Sequence, residues 1–169
     1  MAIRSILHYP DTRLRIVAKP VSVFDAALET LVLDMAETMY AAPGVGLAAT
    51  QIGEDKRVFI VDLTTGEEGP NDLRVFVNPE IVDTSGDIVW DEGCLSFPGL
   101  QENVKRAAHV RVRAQDVQGT PFELEAEGLF AVAIQHELDH LDGKLMIDHV
   151  SPLKRRIMHR TMLKRKASA

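Results

Sequence analysis

The segment His136-Glu137-Leu138-Asp139-His140 carries two imidazoles four positions apart, with a carboxylate beside the first. On a helix, residues four apart differ by about 40° in direction and about 6 Å in height, so both rings can reach one ion. Glu137 lies near the same face, where it can reach a water beside that ion and take its proton. Charged helix surfaces also produce this spacing by chance, as a solvated turn with an incidental histidine pair. A catalytic metal needs a third protein ligand and an open position. No glutamate follows Glu137, so a thermolysin-like scheme fails. The metzincin pattern HExxHxxGxxH fails as well, because Met146 stands where its third histidine should be. Asp142, Asp148, His149 and His159 remain downstream without a recognised spacing. Upstream, the best soft ligand is Cys94.

Cys94 is the sole cysteine and has no partner for an intramolecular disulfide, which fits a reducing compartment. By residue type alone, a small buried hydrophobe is its ordinary role. Its setting, Asp91-Glu92-Gly93-Cys94-Leu95-Ser96, suits a strand end or turn. A thiolate beside two imidazoles suits Zn²⁺, Fe²⁺, Ni²⁺ or Co²⁺. A third segment, Gly44-Val45-Gly46-Leu47-Ala48-Ala49-Thr50-Gln51, is rich in small residues that let another chain approach. Gln51 adds a carboxamide that can donate to a developing oxyanion. A tightly packed turn would use the same glycines. No Gly-Lys-Ser/Thr follows them, so phosphate binding is not expected.

The elements that must position these residues can be read from periodicity. Asp25 suits an N-cap, and Leu28, Leu31, Val32, Met35 and Met39 recur at helical spacing until Pro43-Gly44 ends the helix. Strands are predicted at 57–63, 73–77, 81–83, 88–90, 109–113 and 122–125. Leu129, Val132, Ala133, His136 and His140 share one face of a later helix that Gly143 should stop. Ser151-Pro152 opens a last helix, only weakly amphipathic, whose apolar residues are Leu153, Ile157, Met158, Met162 and Leu163. The expected fold is α+β: short antiparallel or mixed β-sheets packed around a central HExxH helix, with an N-terminal helix and a basic C-terminal helix. The length of 169 residues argues for one domain over 1–169, with 151–169 as the basic helix. At 46% apolar and 26% charged the chain can bury an ordinary core. It shows neither a membrane-length apolar run nor a secretory leader, and a cytoplasmic protein is expected. Net charge is −6, unevenly spread: 151–169 carries seven Lys/Arg and no acid, leaving 12 basic against 25 acidic residues, or −13, in 1–150. Such a body repels nucleic acid, so no specific DNA partner is expected, while the tail can touch phosphates.

Taken in order, Gly44–Gln51, Glu92–Ser96 and His136–His140 reproduce GxGxAAxQ, EGCxS and HExDH without a mismatch. In this the sequence resembles the peptide deformylase family, bacterial type 1, over nearly its whole length. The resemblance implies a cytoplasmic metal-dependent hydrolase of protein biosynthesis. Such an enzyme removes the N-formyl group from the initiator methionine of nascent chains and releases formate. It implies that Cys94, His136 and His140 bind one metal ion: Fe²⁺ physiologically, with Zn²⁺, Ni²⁺ or Co²⁺ able to replace it. Glu137 would be the general base, with Gln51 and the backbone N–H of Leu95 holding the oxyanion. Val45, Gly46, Trp90, Leu129, Val132 and Ala133 would form the substrate site, although Leu129 and Val132 also suit ordinary core packing. Formyl-methionyl nascent peptides are the implied substrate, and the ribosome is a natural partner for the basic helix. One departure is that many bacterial members carry an arginine a few residues after the second motif, where this chain reads Phe97-Pro98-Gly99-Leu100-Gln101-Glu102. Two other classes stay open: a metallopeptidase cutting internal amide bonds, and a catalytically silent, ribosome-associated binding protein.

Overall fold

In a computed structural model, which describes residues 2–168, the Asp25 side chain accepts the N–H of Leu28 and starts α1 (Ala26–Ala41). That bond satisfies one of the amides left free in a first helical turn. Five strands follow: β1 (Gly46–Ala48), β2 (Val58–Val61), β3 (Arg74–Cys94), β4 (Phe97–Gln115) and β5 (Pro121–Glu127). They form one antiparallel sheet in sequence order, each strand pairing with the next. Helix α2 (Gly128–Leu141) carries the HExxH segment, and α3 (Pro152–Ser168) closes the chain. The α+β class, the helix caps and the antiparallel pairing agree with the sequence reading. The three segments expected at 73–77, 81–83 and 88–90 are one long strand, and β4 begins twelve residues before the expected 109.

Strand β2 shows how the core is divided. All four of its residues are buried, and alternate side chains point to opposite faces. Val58 and Ile60 pack with Leu28, Leu31, Met35 and Met39 of α1. Phe59 and Val61 pack with Phe76, Val110, Val112 and, from α2, Ala131, Ile134 and Leu141. A fully buried Leu or Phe of this kind contributes roughly 1.5–3 kcal/mol. The sheet therefore holds α1 on one face and α2 on the other. Gly143, with φ 73°, ends α2 in the left-handed conformation.

A third apolar cluster joins Leu14, Phe97, Val104 and Leu145 to Met158 and Met162. These two methionines are the inward side of α3. Leu153, Ile157 and Leu163 are exposed on it. Among the described residues, no helix is long and apolar enough to cross a membrane.

Candidate metal centre

A tight hairpin turn delivers the cysteine to the helix. Strand β3 ends at Cys94, β4 begins at Phe97, and these two residues pair across Leu95-Ser96. Facing them, α2 presents His136 and His140 one turn apart, their ring centroids 5.0 Å from each other. One ligand atom from each of Cys94, His136 and His140 lies within 4.8 Å of the others, and Cys94 Sγ is 3.3 Å from His140 Nε2. The downstream alternatives are engaged elsewhere. Asp142 pairs with Arg57 at 2.9 Å, Asp148 with Arg15 at 2.5 Å, His149 with Asp139 at 2.7 Å, and His159 meets Tyr9 Oη at 2.5 Å.

The donor set fits a divalent transition metal. Sulfur and two imidazole nitrogens are borderline-soft ligands. His136 Nδ1 contacts Glu92 Oε1 at 2.8 Å, which fixes the ring and leaves Nε2 free, as in carboxylate–histidine–metal arrangements. Burial works against a charge on His136, but the Cys94 sulfur and Glu92 outweigh it and raise its pKa well above the ordinary value. His140 moves the other way, held neutral by burial and by the charge on His136. A bound cation needs both imidazoles neutral and the sulfur as thiolate, so it would take the place of the proton that Cys94 and Glu92 favour on His136.

Around that point the other motif residues converge. Gln51 is buried on a short 3-10 helix (Ala49–Ile52), where its Oε1 accepts the N–H of Ala48 at 3.0 Å. Its Nε2 is therefore aimed at Ser96 Oγ, 3.1 Å away, and Cys94 Sγ, 3.8 Å away. Glu137 is 4% exposed, and its Oε1 is buried without a hydrogen-bond partner. Burial pushes its carboxyl up to about 7. Gly46 makes room for it, since a Cβ there would lie 2.5 Å from Glu137 Oε2.

These groups open into a cavity of about 670 Å³. Of the twelve residues singled out from the sequence, eleven line it: Val45, Gly46, Gln51, Trp90, Cys94, Leu95, Leu129, Val132, Ala133, His136 and Glu137. His140 sits behind the wall at 1% exposure. Leu129 and Val132 are absent from the three apolar clusters and face the cavity, whereas Ala133 does both. The rim stretch 97–102 lacks its own arginine, but Arg165 reaches it from α3 and donates to Pro98 O.

Sequence reasoning missed the charged network behind the site. Arg106 of β4 donates from Nε and Nη2 to both Glu92 oxygens and from Nη1 to Asp139. A lone arginine in a strand gives no motif. Glu92 and Asp139 stood inside the quoted motifs, and their position beside the proposed ligands was the signal.

A model of the polypeptide deformylase family matches residues 3–156. A peptide deformylase of Chromobacterium violaceum is 52% identical over 165 residues, covering 98% of this chain and 97% of that protein. The crystal structure of a peptide deformylase from Legionella pneumophila matches with a TM-score of 0.92 and 50% identity, over 98% of this chain and 96% of that one. The structure of peptide deformylase from Ehrlichia chaffeensis in complex with actinonin matches with a TM-score of 0.92 and 35% identity, over 98% of each chain.

Proposed function

Because the chain belongs to the polypeptide deformylase family, we propose that it is a metal-dependent hydrolase that removes the N-formyl group from the formyl-methionine of nascent polypeptides. The observation that carries this reading is the meeting of Cys94 with His136 and the buried His140 at the wall of the cavity that Glu137 and Gln51 also line. Cys94, His136 and His140 would hold the cation. When bound, that cation supplies Lewis acidity toward the formyl carbonyl and toward water.

The chain's own residues do the rest. The Glu137 carboxylate takes a proton from the attacking water and returns it to the departing methionine nitrogen. Gln51 Nε2 and the backbone N–H of Leu95 donate to the formyl oxygen as charge builds there. Glu92 keeps His136 oriented through Nδ1. Val45, Gly46, Trp90, Leu129, Val132 and Ala133 form the mainly apolar pocket for the methionine side chain. Water adds to the formyl carbon, the C–N bond breaks, and the products are formate and a free N-terminal methionine.

Residues 1–169 act as one domain in this reading. Ferrous iron is the physiological ion, with zinc, nickel or cobalt as substitutes; the sulfur and nitrogen donor set supports all four. The enzyme works in the cytoplasm, which the unpaired Cys94 supports. It meets the ribosome through α3, on which Arg156, Arg160, Leu153 and Ile157 are exposed. Family membership counts against internal peptide cleavage and against a silent binding protein. Mass spectrometry of a formyl-Met tripeptide after incubation with the metal-loaded enzyme tests the function. The expected products are formate and the intact deformylated tripeptide; internal fragments, or no turnover, would overturn it.

A further inference from the structure

The three proposed metal ligands come from two separate elements, β3 and α2, and something must hold those elements in register. Glu92 stands two residues before Cys94 on β3, and Asp139 stands one residue before His140 on α2. A single guanidinium joins them. Arg106 Nε donates to Glu92 Oε2 at 2.8 Å and Nη2 to Glu92 Oε1 at 2.9 Å, while Nη1 donates to Asp139 Oδ2 at 2.6 Å. The Arg106 and Glu92 side chains are only 4% and 3% exposed. Asp139 Oδ2 also meets His149 Nε2 at 2.7 Å, and that ring is 3.5 Å from Arg106 Nη1. The chain of contacts thus runs from His136 through Glu92, Arg106 and Asp139 to His149.

We propose that Arg106 is a positioning residue for the metal centre, acting through Glu92 on His136 and through Asp139 on the last turn of α2. This rests on the metal-site reading above. Planarity decides why it is an arginine. A guanidinium can face one carboxylate with two parallel N–H groups and still turn a third toward another, with each donor direction fixed. A lysine ammonium would keep the charge but supply one compact donor on a flexible stem, unable to hold both carboxylates in fixed directions. The Glu92 carboxylate, gripped on both oxygens, cannot rotate, and so the His136 ring it contacts cannot turn away from Cys94. Partners of this kind commonly change metal affinity by about 10–100-fold when removed. His149 completes the Asp139 end of the network.

The test uses the full chain, stripped of metal and titrated with Co²⁺ against a competing chelator, with optical bands reporting the ligand geometry. Arg106→Lys is expected to lose about 10–100-fold in Co²⁺ affinity and to shift the cobalt bands. Its thermal transition should stay cooperative. The double variant Glu92→Gln/Arg106→Lys should be no weaker than the weaker single variant, because the two residues act along one path. If Arg106 served the fold alone, the two losses would add and the bands would not move. Either result would overturn the proposal, as would wild-type affinity in Arg106→Lys. Should Arg106→Lys fail to fold, Asp139→Asn removes the α2 end while leaving the Arg106–Glu92 pair. The same affinity loss and band shift are expected from it, and their absence overturns the proposal. A wild-type chain without a thiolate–cobalt band would overturn this inference and the metal-site reading together, whereas a normal wild-type band beside an unaltered Arg106→Lys overturns this inference alone.

Discussion

Gly46→Ala adds one methyl group at the most crowded point of the site. Gly46 does not adopt a left-handed φ, so alanine fits the backbone and the effect must come from the Cβ itself. That atom would lie 2.5 Å from Glu137 Oε2, 3.0 Å from its Cδ and 3.1 Å from its Cγ. Carbon contacts settle near 3.5 Å or more, so the end of the Glu137 side chain must retreat by about 1 Å. The retreat costs little stability, because the displaced atoms end a flexible side chain. Its catalytic cost is larger, since a misplacement of about 1 Å can cost about 10²-fold in rate. That is about 2.7 kcal/mol of transition-state stabilisation. The assay is formate release under saturating substrate, with metal content and melting temperature measured on the same sample. We expect kcat to fall about 10²-fold, with metal retained and the melting temperature nearly unchanged. A kcat within about threefold of the parent would refute the placement of Glu137 as the proton carrier. Loss of metal in the variant would locate the damage at the ligands instead.

Glu137→Ala should keep its metal and lose about 10²–10⁴-fold in kcat, because the proposed mechanism makes the residue a proton carrier and not a ligand; metal analysis beside steady-state kinetics checks both halves. Asp62 governs part of the acid stability. Burial pushes its carboxyl up, but Thr64 Oγ1, Tyr40 Oη and the N–H groups of Thr64 and Asp72 outweigh this and hold it below the ordinary range. Its contribution is therefore complete above the unfolded carboxyl value of about 4 and fades as pH falls through the lower folded value, so Asp62→Asn should flatten the loss of stability in urea titrations below pH about 4. On α3, Arg156→Glu/Arg160→Glu changes exposed charge while leaving Met158 and Met162 packed. Hydrolysis of short formyl peptides should persist while salt-sensitive sedimentation with ribosomes falls, and unchanged sedimentation would defeat the docking role.

The parts legible in the sequence were those written in residue type and local spacing. The α1 cap at Asp25, the α2 face from Leu129 to His140 and the Ser151-Pro152 start of α3 each follow from a short-range rule. The three motif segments named the residues that the cavity gathers. Strand continuity was less visible, because residues 83–87 are exposed and polar, so no alternation marks them. Their pairing partners, Arg111 to Ala107, lie twenty or more residues away, and backbone bonds to β4 hold them extended. The inward side of α3 was hidden for a similar reason. Its apolar residues follow no clean stripe, and only contact with Phe97 and Val104 selects Met158 and Met162 over Leu153 and Ile157. Arg106 could not be found from spacing, since its partners sit 14 and 33 residues away on two other elements.

The central claim is that one cation, held by Cys94, His136 and His140, makes this chain a deformylase. The most direct test strips the protein of metal anaerobically and adds Fe²⁺ or Ni²⁺ in fractions of an equivalent, following formate release from a formyl-Met peptide. The account expects activity to rise linearly and to stop at one equivalent per chain, with Cys94→Ala retaining neither metal nor turnover. Full activity in the stripped protein, or one equivalent of metal and normal formate release in Cys94→Ala, would contradict it.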